Sequence, residues 1–151
     1  MARTIYLAVF ANGSKPAHWA IWIPTSGGEF VGKLLHVTGN PATGFFLEFK
    51  RNYDLRTTTR GYQIVTLAQA RDQDVTDTPG ALSKDTTARD RFESTATVVR
   101  PPGRSANSFN PAALNCQNWI LDFVEKLIAR DVNNQSRRRS YSNQFNLRCL
   151  D

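Results

Sequence analysis

The chain has 151 residues, of which 40% are hydrophobic, 21% charged and 11% aromatic, and a net charge of +6 at neutral pH. That length suits one domain with a full hydrophobic core that needs no disulfide staples, and the composition is that of a globular rather than a disordered chain. No apolar run reaches the ~20 residues that a membrane-spanning helix needs.

Thr4–Asn12, TIYLAVFAN, runs branched and aromatic residues into Asn12 and Gly13. It reads as a first strand rather than a secretory signal. His18–Ile23 (HWAIWI), Gly32–Val37 (GKLLHV), Gly44–Arg51 (GFFLEFKR) and Tyr62–Ala68 (YQIVTLA) read as further strands, separated by turn material such as NGSKP, PTSGGE and TGNPAT. Such close spacing predicts an antiparallel meander. Residues Arg71–Ser94 are polar, with Pro79 and Gly80 in the middle, and read as a long loop or a short helix plus loop. Thr95–Arg100 (TATVVR) reads as one more strand, stopped by Pro101 and Pro102. Trp119, Ile120, Phe123, Val124, Leu127 and Ile128 then recur at helical spacing. They predict an amphipathic helix opening near Asn115, with Cys116 on its buried side. The expected fold is α+β, an antiparallel sheet of about five or six strands packed against this helix. One domain is expected over residues 1–130 and a basic tail over 131–151.

The positive charge is concentrated in the first 70 residues and in the tail from Arg130, whose Arg137–Arg139 is the dense basic run. That run reads as a solvated tail, and with no interleaving of basic and aromatic residues no nucleic-acid partner is expected. Cys116 and Cys149 form no CxxC and have no histidine cluster beside them. This is neither a disulfide framework nor a zinc-ligand pattern, so a reducing, cytoplasmic location with no metal and no cofactor is expected.

Cys116 alone reads as a small core residue. A thiol becomes a nucleophile only as thiolate, which a helix N-terminus and a nearby imidazole both favour. The chain has only two histidines, His18 and His36, on strands joined through Gly27 and Gly28. Neighbouring strands can set one imidazole to face the cysteine and the other to orient it, and this turns the reading from packing to catalysis. Trp19 and Trp22 point to opposite sheet faces, one to pack under the helix and one to line a substrate cleft. Arg104, in RPPGRS, is a candidate for an anionic substrate group, and Asn115 and Gln117 flank the nucleophile. Cys149 has no base near it in sequence.

At these residues the chain resembles a known group. HWAIWI, LLHV and the later NCQNWILDFV are similar to the motifs of the lecithin-retinol acyltransferase and H-rev family, in the circularly permuted NlpC-type papain-like superfamily. The resemblance implies a permuted papain-like fold with Cys116 as nucleophile, His18 as general base and then acid, and His36 as the orienting member. It implies acyl transfer or hydrolysis through a thioester, on a soluble small-molecule or carrier-bound acyl, amide or thioester substrate. A peptidase or isopeptidase of the PPPDE type and an inactive binding module on the same fold are the alternatives. Gln117 and Asn118 stand where those relatives carry Glu-His, and the absence of a hydrophobic C-terminal anchor points away from membrane lipids.

Overall fold

Alternation of apolar side chains along the first strands gives the sheet two apolar faces, and the site is built where those faces meet at one end. In the computed structural model, which describes residues 2–137 and 146–147 and the side chains of 2–131, β1 (Ala2–Phe10), β2 (His18–Pro24), β3 (Val31–Asn40) and β4 (Gly44–Asp54) form an antiparallel meander. β5 (Tyr62–Arg71) then crosses back to pair antiparallel with the free side of β1. β6 (Ser83–Asp85) edges β4 and the two-residue β7 (Asn146–Leu147) edges β5, so the order is β6-β4-β3-β2-β1-β5-β7. The expected α+β class with an antiparallel sheet is present, and β5 is where it departs from a simple meander.

Two helices, α1 (Arg91–Val98) and α2 (Cys116–Arg137), join one face. Ile5, Leu7, Ile21, Ile23, Leu35, Val37 and Phe49 of the sheet form one core with Phe92 and Ala96 of α1 and Trp119, Ile120, Phe123 and Leu127 of α2. The expected apolar stripe of α2 is thus the surface that docks it. Trp119 stacks on Phe123 and donates its indole N–H to Val99 O at 3.1 Å. The alternate residues Ala8, Phe10, Ala20, Trp22 and Leu34 face the other way, under Leu55 of a short 3-10 turn, and make a second, smaller core.

Thr95–Arg100 is not a strand. Thr95 to Val98 form the end of α1, because Asp90 caps that helix by accepting from Glu93 N at 2.9 Å and because Phe92, Thr95 and Ala96 fall on its buried side. The cap and the tertiary packing override the β-propensity of the Thr and Val residues. Glu93 is fully buried and accepts from Arg51 Nη2 at 2.7 Å and Lys33 Nζ at 2.6 Å. Arg51 also holds Asp85, and Lys33 holds Asp90, so one charged cluster fastens α1 to β3, β4 and β6. The polar stretch before α1 contributes a 3-10 turn (Asp72–Asp74) and β6, and is tied down by Arg3, which holds Asp72 and Asp77.

α2 runs on to Arg137, past the expected start of the tail. Arg138, Arg139 and Cys149 lie outside the described residues. Among the described residues no helix is long and apolar enough to cross a membrane.

Candidate active site

The start of α2 is fixed by a reciprocal cap. Asn115 Oδ1 accepts from Gln117 N at 2.9 Å, while Asn118 Oδ1 accepts from Asn115 N at 2.9 Å. This is the capping-box arrangement built from two asparagines. Gln117 Nε2 donates to Ala17 O at 2.9 Å, locking the first turn onto the entry of β2. The Gln-Asn pair after the cysteine therefore serves the helix start: the side chains of Gln117 and Asn115, expected near substrate, are committed to the main chain, and of the two Asn115 also lines a cavity beside Cys116.

Cys116 is 7% exposed and its Sγ lies 3.9 Å from Ala17 O. The paired residues of β2 and β3 run from Ile21↔Leu35 to Pro24↔Gly32, so the main chain of Ala17 and Trp19 lies beyond that ladder. The sulfur thus sits against main chain that is outside the β2–β3 pairing. Burial pushes the thiol above its ordinary pKa, opposed by the main-chain N–H groups of Trp19, Cys116 and Gln117 that face the sulfur.

The histidines are directly connected. His18 Nε2 and His36 Nδ1 are 2.8 Å apart, and His36 Nε2 lies 3.0 Å from Glu48 Oε1. Glu48 stands opposite His36 in the β3–β4 register. It was not among the expected site residues, although a lone acid inside GFFLEFKR, across from a strand histidine, is a readable signal. The hydrogen bond from His36 holds the Glu48 carboxyl below its usual range, so it is an ionised acceptor. It follows that His36 Nε2–H donates to Glu48, His36 Nδ1 accepts, His18 Nε2–H donates to it, and the lone pair of His18 is on Nδ1. Burial, then repulsion from His36 when that ring is protonated and from the cations Arg60 and Lys50, pushes His18 down to about 4. Burial also lowers His36, with Glu48 opposing. Both rings are neutral at pH 7.

His18 and Cys116 line one cavity of about 690 Å³, walled also by Val37, Phe45 and the segment from Ser108 to Ala113. They approach it from different sides. Strand alternation sends His18 with Ala20 and Trp22 toward the second core, where its ring lies 6.0 Å from Phe10, while Cys116 belongs to the helix-side core. The thiol's hydrogen bond accordingly goes to Ala17 O rather than to an imidazole. His18 also lines a second cavity of about 370 Å³ on the reverse face, so it stands at the rim between the two.

The remaining expected residues are not gathered at the cavity. Trp22, expected as one of two candidates for a cleft wall, is fully buried in the second core, and among the described residues its Nε1 has no hydrogen-bond partner. Trp19 packs partly buried against the helix-side core. Arg104 donates Nε to Ala42 O at 3.1 Å, pinning the segment before α2 along the β3–β4 hairpin, where Phe45 N also donates to Pro102 O at 2.8 Å. Gly44, at φ 82°, lies under this segment, and a Cβ there would come within 3.2 Å of Arg104 N. Among the described residues no group of three or more His, Cys, Asp or Glu could hold a metal ion.

No curated protein and no solved structure matches the chain. A family profile does, over residues 5–133, which run from within β1 into α2 and include His18, His36 and Cys116. The chain belongs to that family, DUF6540, a family of unknown function.

Proposed function

We propose that the protein is a cysteine-dependent acyltransferase or hydrolase of permuted papain-like architecture, acting through a thioester on Cys116. The observation that carries this reading is that Cys116 and His18 open into one cavity, with the far nitrogen of His18 held by His36. The elements follow the order the resemblance implies: two histidines on adjacent strands, then a cysteine opening a helix on that sheet.

In the proposed reaction Sγ turns from Ala17 O toward His18 Nδ1 and gives up its proton there. Apo hydrogen bonds of catalytic groups commonly tighten only with substrate bound. The thiolate attacks the substrate carbonyl carbon, and the N–H groups of Trp19 and Cys116, which already face the sulfur, hold the oxyanion. The tetrahedral intermediate collapses, the leaving group departs with the proton from His18, and a thioester remains. His18 Nδ1 next takes the proton of water or of another acceptor, whose oxygen or nitrogen attacks the thioester. Collapse returns the proton to the sulfur and frees the acylated product.

A second reading has its own support: the sulfur is bound to the main chain, its pKa is raised by burial, and the imidazole ladder leans to the opposite face. Those features suit a binding module whose cysteine is core. Reaction with 4-nitrophenyl acetate followed by intact-mass measurement separates the two. An acetyl adduct that is absent from Cys116→Ala supports catalysis, and a thiol inert to the ester and to iodoacetamide in the native protein supports the binding module.

A further inference from the structure

The cavity on the reverse face of the histidine pair has the chemistry of an anion site. Its charged lining side chains are Lys50 and Arg60, and Thr38 and Thr57–Thr59 line it with them, the hydroxyls of Thr57 and Thr58 being engaged by Asp54 O and the Tyr53 hydroxyl. No carboxylate lines it. Neighbouring cations are spoken for: Arg56 pairs with Asp54, and Arg51 with Asp85 and Glu93. Lys50 instead stands 5.3 Å over the Tyr53 ring, and the nearby acid Glu48 is engaged by His36. Among the described residues neither Lys50 nor Arg60 lies within ion-pair distance of a carboxylate, and two cations lining a concave wall attract an oxyanion more strongly than they would on a flat surface.

The two cavities share Asn12, His18 and Gly39, so one molecule can lie across the rim with His18 beneath it. We infer that the reverse cavity binds the anionic end, a carboxylate or a phosphate, of the substrate whose reacting carbonyl lies at Cys116; the substrate assignment rests on the catalytic reading above. Charge at that end selects the substrate, and the imidazole between the two cavities is positioned by the same binding event.

The chain's two histidines give a direct readout, since ring Cε1–Hε1 NMR correlations contain only two signals. The Cys116→Ala protein is titrated at constant ionic strength with sodium phosphate, sodium acetate and sodium chloride. A saturable shift of the His18 signal with phosphate or with acetate, and not with chloride, is expected; the anion that saturates names the group. Lys50→Gln combined with Arg60→Gln, checked for native circular dichroism, should weaken that binding by about tenfold or more. Shifts that do not saturate, or equal affinity in the folded double variant, overturn the site. In the wild-type protein the carboxylate-bearing 4-nitrophenyl succinate should exceed neutral 4-nitrophenyl butyrate in kcat/KM by about tenfold, an advantage lost in Lys50→Gln. Equal kcat/KM for the two esters overturns the substrate assignment while leaving catalysis standing. Saturable anion binding with turnover of neither ester overturns catalysis while leaving the anion site standing.

Discussion

The His18 and His36 rings meet edge to face, with centres 5.0 Å apart, and share one hydrogen bond of 2.8 Å from Nε2 to Nδ1. Its direction is set one residue further on, by the Glu48 carboxylate at His36 Nε2. An ionised carboxylate can only accept, so both rings carry their proton on Nε2. Glu48→Gln replaces it with an amide that can donate as well as accept, and the tautomer is no longer enforced. The rate of acylation at Cys116 should then fall by about tenfold or more, as when other orienting carboxylates lose their charge. Histidine 15N shifts check the cause: His18 should be Nε2–H in the wild type and a mixture in the variant. An unchanged tautomer with a tenfold loss would assign Glu48 some other role.

The low His18 pKa also makes a statement about stability. Its value falls from 6.5 to about 4 on folding, chiefly by burial. Between those two pH values the unfolded chain binds the proton that the native state refuses, so stability is full above pH 6.5 and falls as the pH drops toward 4. The loss amounts to about 3 kcal/mol at one and a third kcal/mol per pH unit. Urea unfolding at pH 7 and pH 4.5 measures it, and His18→Asn should flatten the profile between them.

Glu93 is the shared anion of a buried cluster, accepting from both Arg51 and Lys33. Removing one partner of such a cluster leaves charge buried without compensation. Glu93→Leu should destabilise the protein by about 3–5 kcal/mol, read as a lower denaturation midpoint with unchanged slope. Substitution of the exposed Phe46 by Ser should move the midpoint by less than about 0.5 kcal/mol.

Asn115 holds the first turn of α2 from one side and Asn118 from the other. Asn115→Ala should cost about 1 kcal/mol of stability. Because the same turn carries Cys116, the variant should lose acylation rate by more than its small stability loss explains, measured below its melting temperature.

The strands were legible because their alternation is strong: HWAIWI and GFFLEFKR state their ends and their two faces outright. The stripe from Trp119 to Ile128 likewise announced α2. The same alternation already placed His18 and Trp22 on one face, yet a second core there could not be read, since it is closed by Leu55, which lies past the end of β4, and by Tyr53 near that end. TATVVR misled because branched residues favour strands, whereas the deciding signal, Asp90 and Glu93 in DRFE, sits upstream in what read as loop. Glu48 went unseen because a single strand reveals its neighbours only once the register is known, and the register places it across from His36. In the Gln-Asn pair after Cys116 the sequence showed a departure from apparent relatives, and the structure gives it a purpose in the cap.

The central claim, that Cys116 is a nucleophile served by His18, is tested most directly by intact mass after brief exposure of the native protein to 4-nitrophenyl acetate at pH 7. The account predicts one acetyl group, released by hydroxylamine, mapped to Cys116, and formed at least ~100-fold more slowly in His18→Ala. A protein that remains unmodified, or one acetylated at Cys116 at the same rate with and without the His18 imidazole, would contradict it.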